Sequence, residues 1–399
     1  MIDSKLAAGH SAPADALSRG MLGLMATACG LLVAALYFAQ PLSELIGADV
    51  GLKPESAGLV VTLTQLGYCA GLLLLTPLGD RVENKRLVLS TMGGSAVALA
   101  AAAVAPGGAV FLVASFLVGL TACAVQMLVP LAAHLAAPEK RGQVVGTMTG
   151  GLLLGILLAR PASSAIASAF GWRSVFALGS LAVALFIIVL WRNLKPLQPA
   201  GTQRYGALIG SLWQVFTSQR VLRQRAFTHA ALFGTFSLFW TASPWLLASQ
   251  GHGQHAIALF ALAGAGGTLI APIAGRLADR GHTRVVSIVA MLVTSVAFAA
   301  TWQGGPMWLM VLAAIVLDAG VQANHVVGQR EVLSLAPALR NRLNSLYMAI
   351  FFAGAAMASS AAGWLFRHDW SDVALVGSLL PLLALAIYLG HGRGINARG

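Results

Sequence analysis

Asp80-Arg81 and Asp279-Arg280 stand 199 residues apart, each at the end of a long apolar run, and Pro138…Arg141 and Pro337…Arg340 repeat the same offset. Gly155 falls on Gly354 at that distance, and Trp172 on Trp370 with one residue slipped. Repetition on this scale, in sequence too apolar to be soluble, implies two like membrane-embedded halves, the plan of a transporter.

Hydrophobic residues make up 58% of the chain and charged residues only 10%, with a mean hydropathy of +0.79; soluble domains carry roughly 25% charge. A helix needs about 20 apolar residues to cross the hydrocarbon. Polar interruptions divide the chain into twelve runs of that size, near 20–43, 57–78, 86–105, 109–135, 143–168, 174–191, 226–248, 255–276, 284–302, 307–330, 343–366 and 372–390. The expected fold is an all-α membrane protein with twelve transmembrane helices in two six-helix bundles. The expected organisation is an N-terminal bundle over 1–192, a linker over 193–225 and a C-terminal bundle over 226–399. The linker carries five bases and no acid, and Leu208–Phe216 within it reads as an amphipathic helix lying on the membrane. The first run leads into Gln40-Pro41 rather than a small-residue cleavage site, so it reads as a retained span.

With the N-terminus placed in the cytoplasm, 21 of the 25 bases fall in inner segments, and the outer loops hold Lys53, Arg173 and Arg367. That asymmetry puts both termini inside. It also accounts for the net charge of +12 through anionic lipid headgroups, leaving nucleic acid without a role. Cys29, Cys69 and Cys123 lie within spans at no metal-ligand spacing and read as packing residues. Neither a metal nor a cofactor is expected.

By this count one base, Arg160, and one acid near mid-span, Asp318, remain in the membrane. A charge at that depth costs several kcal/mol unless it faces a partner, a bundle interior or water. Both are therefore candidate substrate or proton residues, the bland alternative being an ion pair that fixes packing. Asp318, Gln322, His325 and Gln329 follow at spacings of four, three and four, sharing one helical face beside Asn324. A carboxylate and an imidazole two turns apart can pass a proton. The alternative for His325 is a neutral packing imidazole; Glu44 and His134 are reserves. The first half offers Tyr37, Gln40, Thr62, Gln65, Tyr68 and Gln126 as cavity residues, Gln126 matching His325 at the repeat offset. Trp240 adds an aromatic wall, suited to an amphipathic organic ligand. Trp245 reads as an anchor at the outer membrane surface. Gly142, Gly146 and Gly150, with Gly151 and Gly155, mark a close helix crossing, and Gly67, Gly71, Gly264, Gly266 and Gly267 are further contact positions.

Gly275-Arg276-Leu277-Ala278-Asp279-Arg280-Gly281, followed by Arg284, resembles the loop signature between the second and third helices of each half in the major facilitator superfamily. Thr76-Pro77-Leu78-Gly79-Asp80-Arg81 is its degraded first-half copy. With Tyr37-Phe38-Ala39-Gln40-Pro41, Thr64-Gln65-Leu66-Gly67-Tyr68 and Arg340-Asn341-Arg342-Leu343-Asn344, the chain is similar to the bacterial sugar and drug efflux branch. The resemblance implies proton antiport and a conformational latch of Asp80, Arg81, Arg141, Gly275, Asp279 and Arg280. The fourth span departs from it, with Ser115–Gly119 where many proton-coupled relatives carry an Arg. The expected function is export of a small organic compound across the bacterial inner membrane by a monomer exchanging it for protons. Uptake of a metabolite held by Arg160 is the alternative. An embedded enzyme or assembly partner finds no motif to support it.

Overall fold

The computed structural model describes residues 18–198, 204–336 and 339–392; Pro337 lies outside them. Among these residues the backbone is helical, without strands, as it must be where no water satisfies backbone polar groups. The first span begins as α1 (Arg19–Ala34) and, after a turn and the 3-10 segment Gln40–Leu42, ends in α2 (Ser43–Asp49). The second is α3 (Gly58–Ala70), which widens over Gly71–Leu75 and tightens to a 3-10 turn at Thr76–Asp80 around Pro77. There the missing proline N–H breaks the ladder. The third is α4 (Asn84–Ala103), the fourth α5 (Gly108–Ala122) with α6 (Ala124–Leu135), the fifth α7 (Arg141–Phe170) and the sixth α8 (Trp172–Asn193).

A linker helix, α9 (Tyr205–Ser218), precedes the second half. That half comprises α10 (Arg220–Ser249), α11 (Gln254–Phe260) with α12 (Ala265–Asp279), α13 (Thr283–Ala299), α14 (Met307–Ser334), α15 (Arg340–His368) and α16 (Trp370–Gly392). Among the described residues, nine of the helical runs are long and apolar enough to cross a membrane unaided; the first and eighth spans are assembled from shorter helices, and the ninth is a single helix of 17 residues.

The repeat in sequence is a repeat in packing. In the first half α1 lies on α7, α3 on α5 and α4 on α8; in the second, α10 lies on α15, α12 on α14 and α13 on α16. Small residues set the approach. Gly155 and Gly151 face Gly30 and Ala26 so closely that a Cβ on Gly155 would stand 2.5 Å from Gly30 Cα, and at Gly354 a Cβ would meet the backbone of Ala230. Gly142, Gly146 and Gly150 do not take part: nothing lies within 4 Å of a Cβ built on any of them. Their four-residue spacing continues the stripe of Gly151 and Gly155 only in sequence, one position round the helix, and they face outward.

Three further expectations change. Trp245 is buried, 6% exposed, rather than an interface anchor; its indole donates to Ser43 Oγ (3.2 Å) across the halves and packs on Phe366. The apolar side of α9, with Leu208, Leu212 and Val215, turns towards protein instead of lipid. The seventh helix starts at Arg220, six residues before the expected span, so Arg225 is a membrane-buried base that the count above left in the linker. It is 2% exposed, pairs with Glu331, and donates to Ser287 Oγ (2.8 Å) and Tyr388 Oη (3.2 Å). A buried guanidinium needs that many partners; here they tie α10, α13, α14 and α16 together.

Candidate functional site

Two long surfaces close one end of the molecule and leave a cavity at the other. On one side of the seam α3 packs along α15. Here Gln65 donates to Ser237 Oγ (2.9 Å), Ser359 donates to Gln65 Oε1 (3.3 Å), and the hydroxyls of Thr62 and Ser359 stand 2.9 Å apart. On the other side α7 meets α11, and Gln254 donates to Ser164 Oγ (3.1 Å) and Pro41 O (3.4 Å). All four polar side chains on the first side are buried, and each hydrogen bond crosses from one half to the other or completes a chain that does.

At the centre of this closed region sits Arg160. It is 2% exposed, with its guanidinium 4.4 Å from the ring centre of Trp240 and 4.9 Å from those of Tyr37 and Phe236. Such contacts are worth about 2 kcal/mol each when desolvated, which offsets part of the cost of burying the charge. Its Nε donates to Gln40 Oε1 at 2.8 Å, while Nη2 has no protein partner. Gln40 in turn donates to Thr241 Oγ1 at 3.5 Å. Trp240 serves both charges: its face carries Arg160, and its indole N–H donates to Asp318 Oδ1 at 2.8 Å.

Arg160 and Asp318 make no direct ion pair. They face one another across Gly264, where an added Cβ would stand 3.2 Å from Asp318 Oδ2 and 3.5 Å from Arg160 Nη1. A side chain there would crowd both charged groups. Arg160 and Gln40 come from the first half, Trp240 and Asp318 from the second, so opposite charges meet where the halves touch. Charges this close attract by a few kcal/mol in the protein interior, enough to bias the closed arrangement without locking it.

The cavity, of about 590 Å³, opens on the face that carries Asp80, Asn84, His134, Arg340 and Arg342, all of which line it. Three residues of the tenth-span stripe, Gln322, His325 and Gln329, line its inner wall with Gln126, and Asp318 lies one turn deeper. Tyr68 accepts from Gln126 Nε2 (3.2 Å), Gln126 Oε1 accepts from Asn344 (3.1 Å), and Asn344 Oδ1 accepts from Gln329 (2.9 Å), an amide chain that crosses the halves. Of the candidate cavity residues, then, Gln126, Gln322 and Gln329 border open space. Tyr37, Gln40, Thr62, Gln65, Tyr68, Arg160 and Trp240 stand in or beside the closed seam, and Asn324 is buried inside the second half against His229. Glu44, on α2, is exposed far from the centre.

Sequence reasoning missed His229. Its ring centre is 4.9 Å from that of His325, its Nδ1 is 3.3 Å from Asn324 Nδ2, and it is fully buried. Asn324 Oδ1, His325 Nδ1 and Tyr347 Oη around it have no protein partner. The signal was present: Arg225 and His229 are one turn apart in a helix whose start was placed too late. The loop residues separate into two kinds. Asp279 pairs with Arg330, whose Nη1 also reaches Gly275 O at 3.5 Å, whereas Asp80 borders the cavity mouth and is not brought onto Arg81 or Arg141.

The chain matches the family model of the Major Facilitator Superfamily over residues 22–280 and 225–393. It is 39% identical over 382 residues to an uncharacterized transporter of Escherichia coli, YgaY, covering 94% of this chain and 96% of that one. A probable transporter of Streptomyces coelicolor is 34% identical, with 93% and 87% covered. A probable sugar efflux transporter of Pasteurella multocida is 22% identical over 65% of this chain and 64% of its own length. Among solved structures, the nucleoside transporter NupG (TM-score 0.73, 16% identity, 92% of this chain and all of that one) and a D-xylose-proton symporter (0.71, 15%, 92% and 96%) share the fold. With two six-helix halves, a seam of polar contacts and a one-sided cavity, this chain belongs to the major facilitator superfamily and is a transporter, not an enzyme.

Proposed function

We propose that the protein exports a small organic compound, drug-like or sugar-like, across the bacterial inner membrane in exchange for protons. Both termini and the cavity mouth then face the cytoplasm, on the side favoured by the distribution of bases. The observation that carries this reading is Asp318: a carboxylate at the junction of the halves, held by one neutral N–H and opposed by, but not paired with, Arg160. A carboxylate so placed can give up and regain a proton as the seam opens and closes. Ionised, it attracts Arg160 and favours the closed seam; protonated, it releases that attraction. A substrate that enters between the halves competes for the same groups, which links its passage to the proton's. The efflux role of the Pasteurella multocida relative supports the direction.

The second reading, uptake of a small anionic metabolite, draws on one atom. Arg160 Nη2 is a buried donor without a protein partner, and a carboxylate or phosphate would satisfy it. The two readings differ in sign. Energised inside-out vesicles, acid inside, should accumulate one or more members of a panel of amphipathic dyes and labelled sugars, and an uncoupler should abolish the accumulation. Accumulation of labelled organic acids in right-side-out vesicles instead would overturn export and establish uptake.

A further inference from the structure

The linker helix α9 sits across the cavity mouth and touches both halves. It contacts the Thr76–Asp80 turn of the first half and α15 and α10 of the second. Tyr205 donates its hydroxyl to Leu74 O at 2.7 Å, where the second span changes from a wide turn to a tight one. Leu208 and Leu212 line the cavity itself. In this position α9 belongs to the mouth-open arrangement: closing the mouth requires the Thr76–Asp80 turn and α15 to approach through the space these leucines hold.

The other side of α9 has no protein against it. Trp213 is 69% exposed, packs at 5.7 Å on Phe216, and Phe216 packs at 6.4 Å on Phe227, itself an exposed residue of the seventh span. That chain of rings sets Trp213 level with the first turns of a transmembrane helix, the depth at which tryptophan prefers the headgroup zone. The charge that this stretch of chain contributes is of one sign. Arg192, Arg204 and Arg220 are exposed, Arg223 caps the carbonyls of Phe216 and Thr217, and residues 192–225 hold no acid.

We propose that α9 is a lipid-reading clasp: anionic phospholipid headgroups bind its tryptophan-bearing side and the Arg204 and Arg220 that flank it, and thereby hold the cavity mouth open. Lipid that seats α9 stabilises the arrangement in which α9 bridges the halves, and each base near an anionic surface contributes about a fivefold preference. The inference does not depend on the direction of transport or on protons.

The test uses the full chain in nanodiscs of phosphatidylcholine alone or of an equal mixture with phosphatidylglycerol. Spin labels at Gly142→Cys and Ser334→Cys, both exposed on the mouth face, report its width; the native cysteines are buried and stay unlabelled. Phosphatidylglycerol should raise the ratio of open to closed mouth at least about fivefold. Trp213→Ala with Arg204→Gln should remove that response, Tyr205→Phe should weaken it by freeing α9 from Leu74, and Trp213→Phe should retain it, separating loss of lipid contact from loss of the helix. An identical distance distribution in both lipids, or a full response in the Trp213→Ala/Arg204→Gln variant, would overturn the proposal.

Discussion

The crossing of α3 with α5 and the crossing of α12 with α14 occupy equivalent places in the two halves, yet they are built for different tasks. In the first, Gly67 and Gly119 bring the backbones together: a Cβ on Gly67 would stand 2.9 Å from Leu120 N, and one on Gly119 would stand 2.9 Å from Tyr68 N. In the second, the residue 199 positions after Gly119 is Asp318, and a Cβ on Gly267 would still clear Asp318 O by 3.2 Å. One crossing is closed by contact; its counterpart is looser, with the backbone and Cβ of Asp318 against Gly267. The same exchange runs the other way between α7 and α15. Arg160 on the first matches Ser359 on the second at that offset, and Gln65 matches Gly264. One side of the seam therefore carries separated charges around a glycine, and the other a compact chain of neutral hydrogen bonds. Duplication supplied the frame, and the charge placed on one side only is what can respond to protons.

The contrast is broken most severely at the tight crossing. Gly67→Ala places a methyl group against backbone that cannot yield, an overpacking cost of about 3 kcal/mol. Folded protein recovered in detergent should fall to about a tenth of wild type by size-exclusion chromatography. Gly267→Ala, at the looser crossing, should keep most of it, and equal damage from both would remove the distinction.

Arg160→Leu should lower transport at least about 100-fold while leaving folded yield near normal, because Asp318 can take up a proton and avoid an uncompensated buried charge. Ser359→Ala, at the equivalent position, removes neutral hydrogen bonds worth about 1 kcal/mol, and should lower transport only a few-fold. Wild-type rates in Arg160→Leu would show that its charge is dispensable. Trp240→Phe keeps a ring over Arg160 and removes the N–H that serves Asp318. A hydrogen bond to a charged group is worth roughly 1.5–3 kcal/mol, so the transport rate should drop about tenfold, and an unchanged rate would mean that Trp240 acts through its ring alone.

The smallest effect lies at the outer rim. Asp49 is paired with Arg173 and accepts from Trp172 Nε1 at 3.2 Å; Arg173 first, then the indole, holds its carboxyl below the usual carboxylate range. The stability this adds is present above the ordinary carboxylate range near pH 4 and is lost as pH falls through the depressed folded value. The pair is exposed and screened, so the thermal midpoint of Asp49→Asn should differ slightly from wild type at neutral pH and converge with it under strong acid. A difference that grew on acidification would reverse the assignment.

The frame was legible because hydrophobic length and a 199-residue repeat are properties of sequence alone. So was the singling out of Asp318 and Arg160, since a charge amid apolar residues is conspicuous. Their joint use of Trp240 was not, because it depends on which faces of four helices turn to one point. Arg225 was hidden by a helix start set too late, and His229 by a search that weighed charges before imidazoles. The glycine stripe shows the opposite failure. Gly142 to Gly155 reads as one motif, but only its last members meet a neighbour, because spacing alone cannot say which side of a helix another helix will occupy. The match of Gly119 with Asp318 and of Arg160 with Ser359 was present in the repeat from the start. It acquired meaning only when the paired crossings showed those positions to be equivalent.

The central claim is that Asp318 carries the coupled proton, and Asp318→Asn tests it most directly. Asn keeps the size of the side chain and can still accept from Trp240, but it cannot release a proton. In vesicles, the Asn variant should still exchange labelled for unlabelled substrate in counterflow at a rate that no longer depends on pH, and should fail to accumulate substrate under a pH gradient. Accumulation driven by the pH gradient at the wild-type level would contradict the account and reduce Asp318 to a hydrogen-bonded tether between helices.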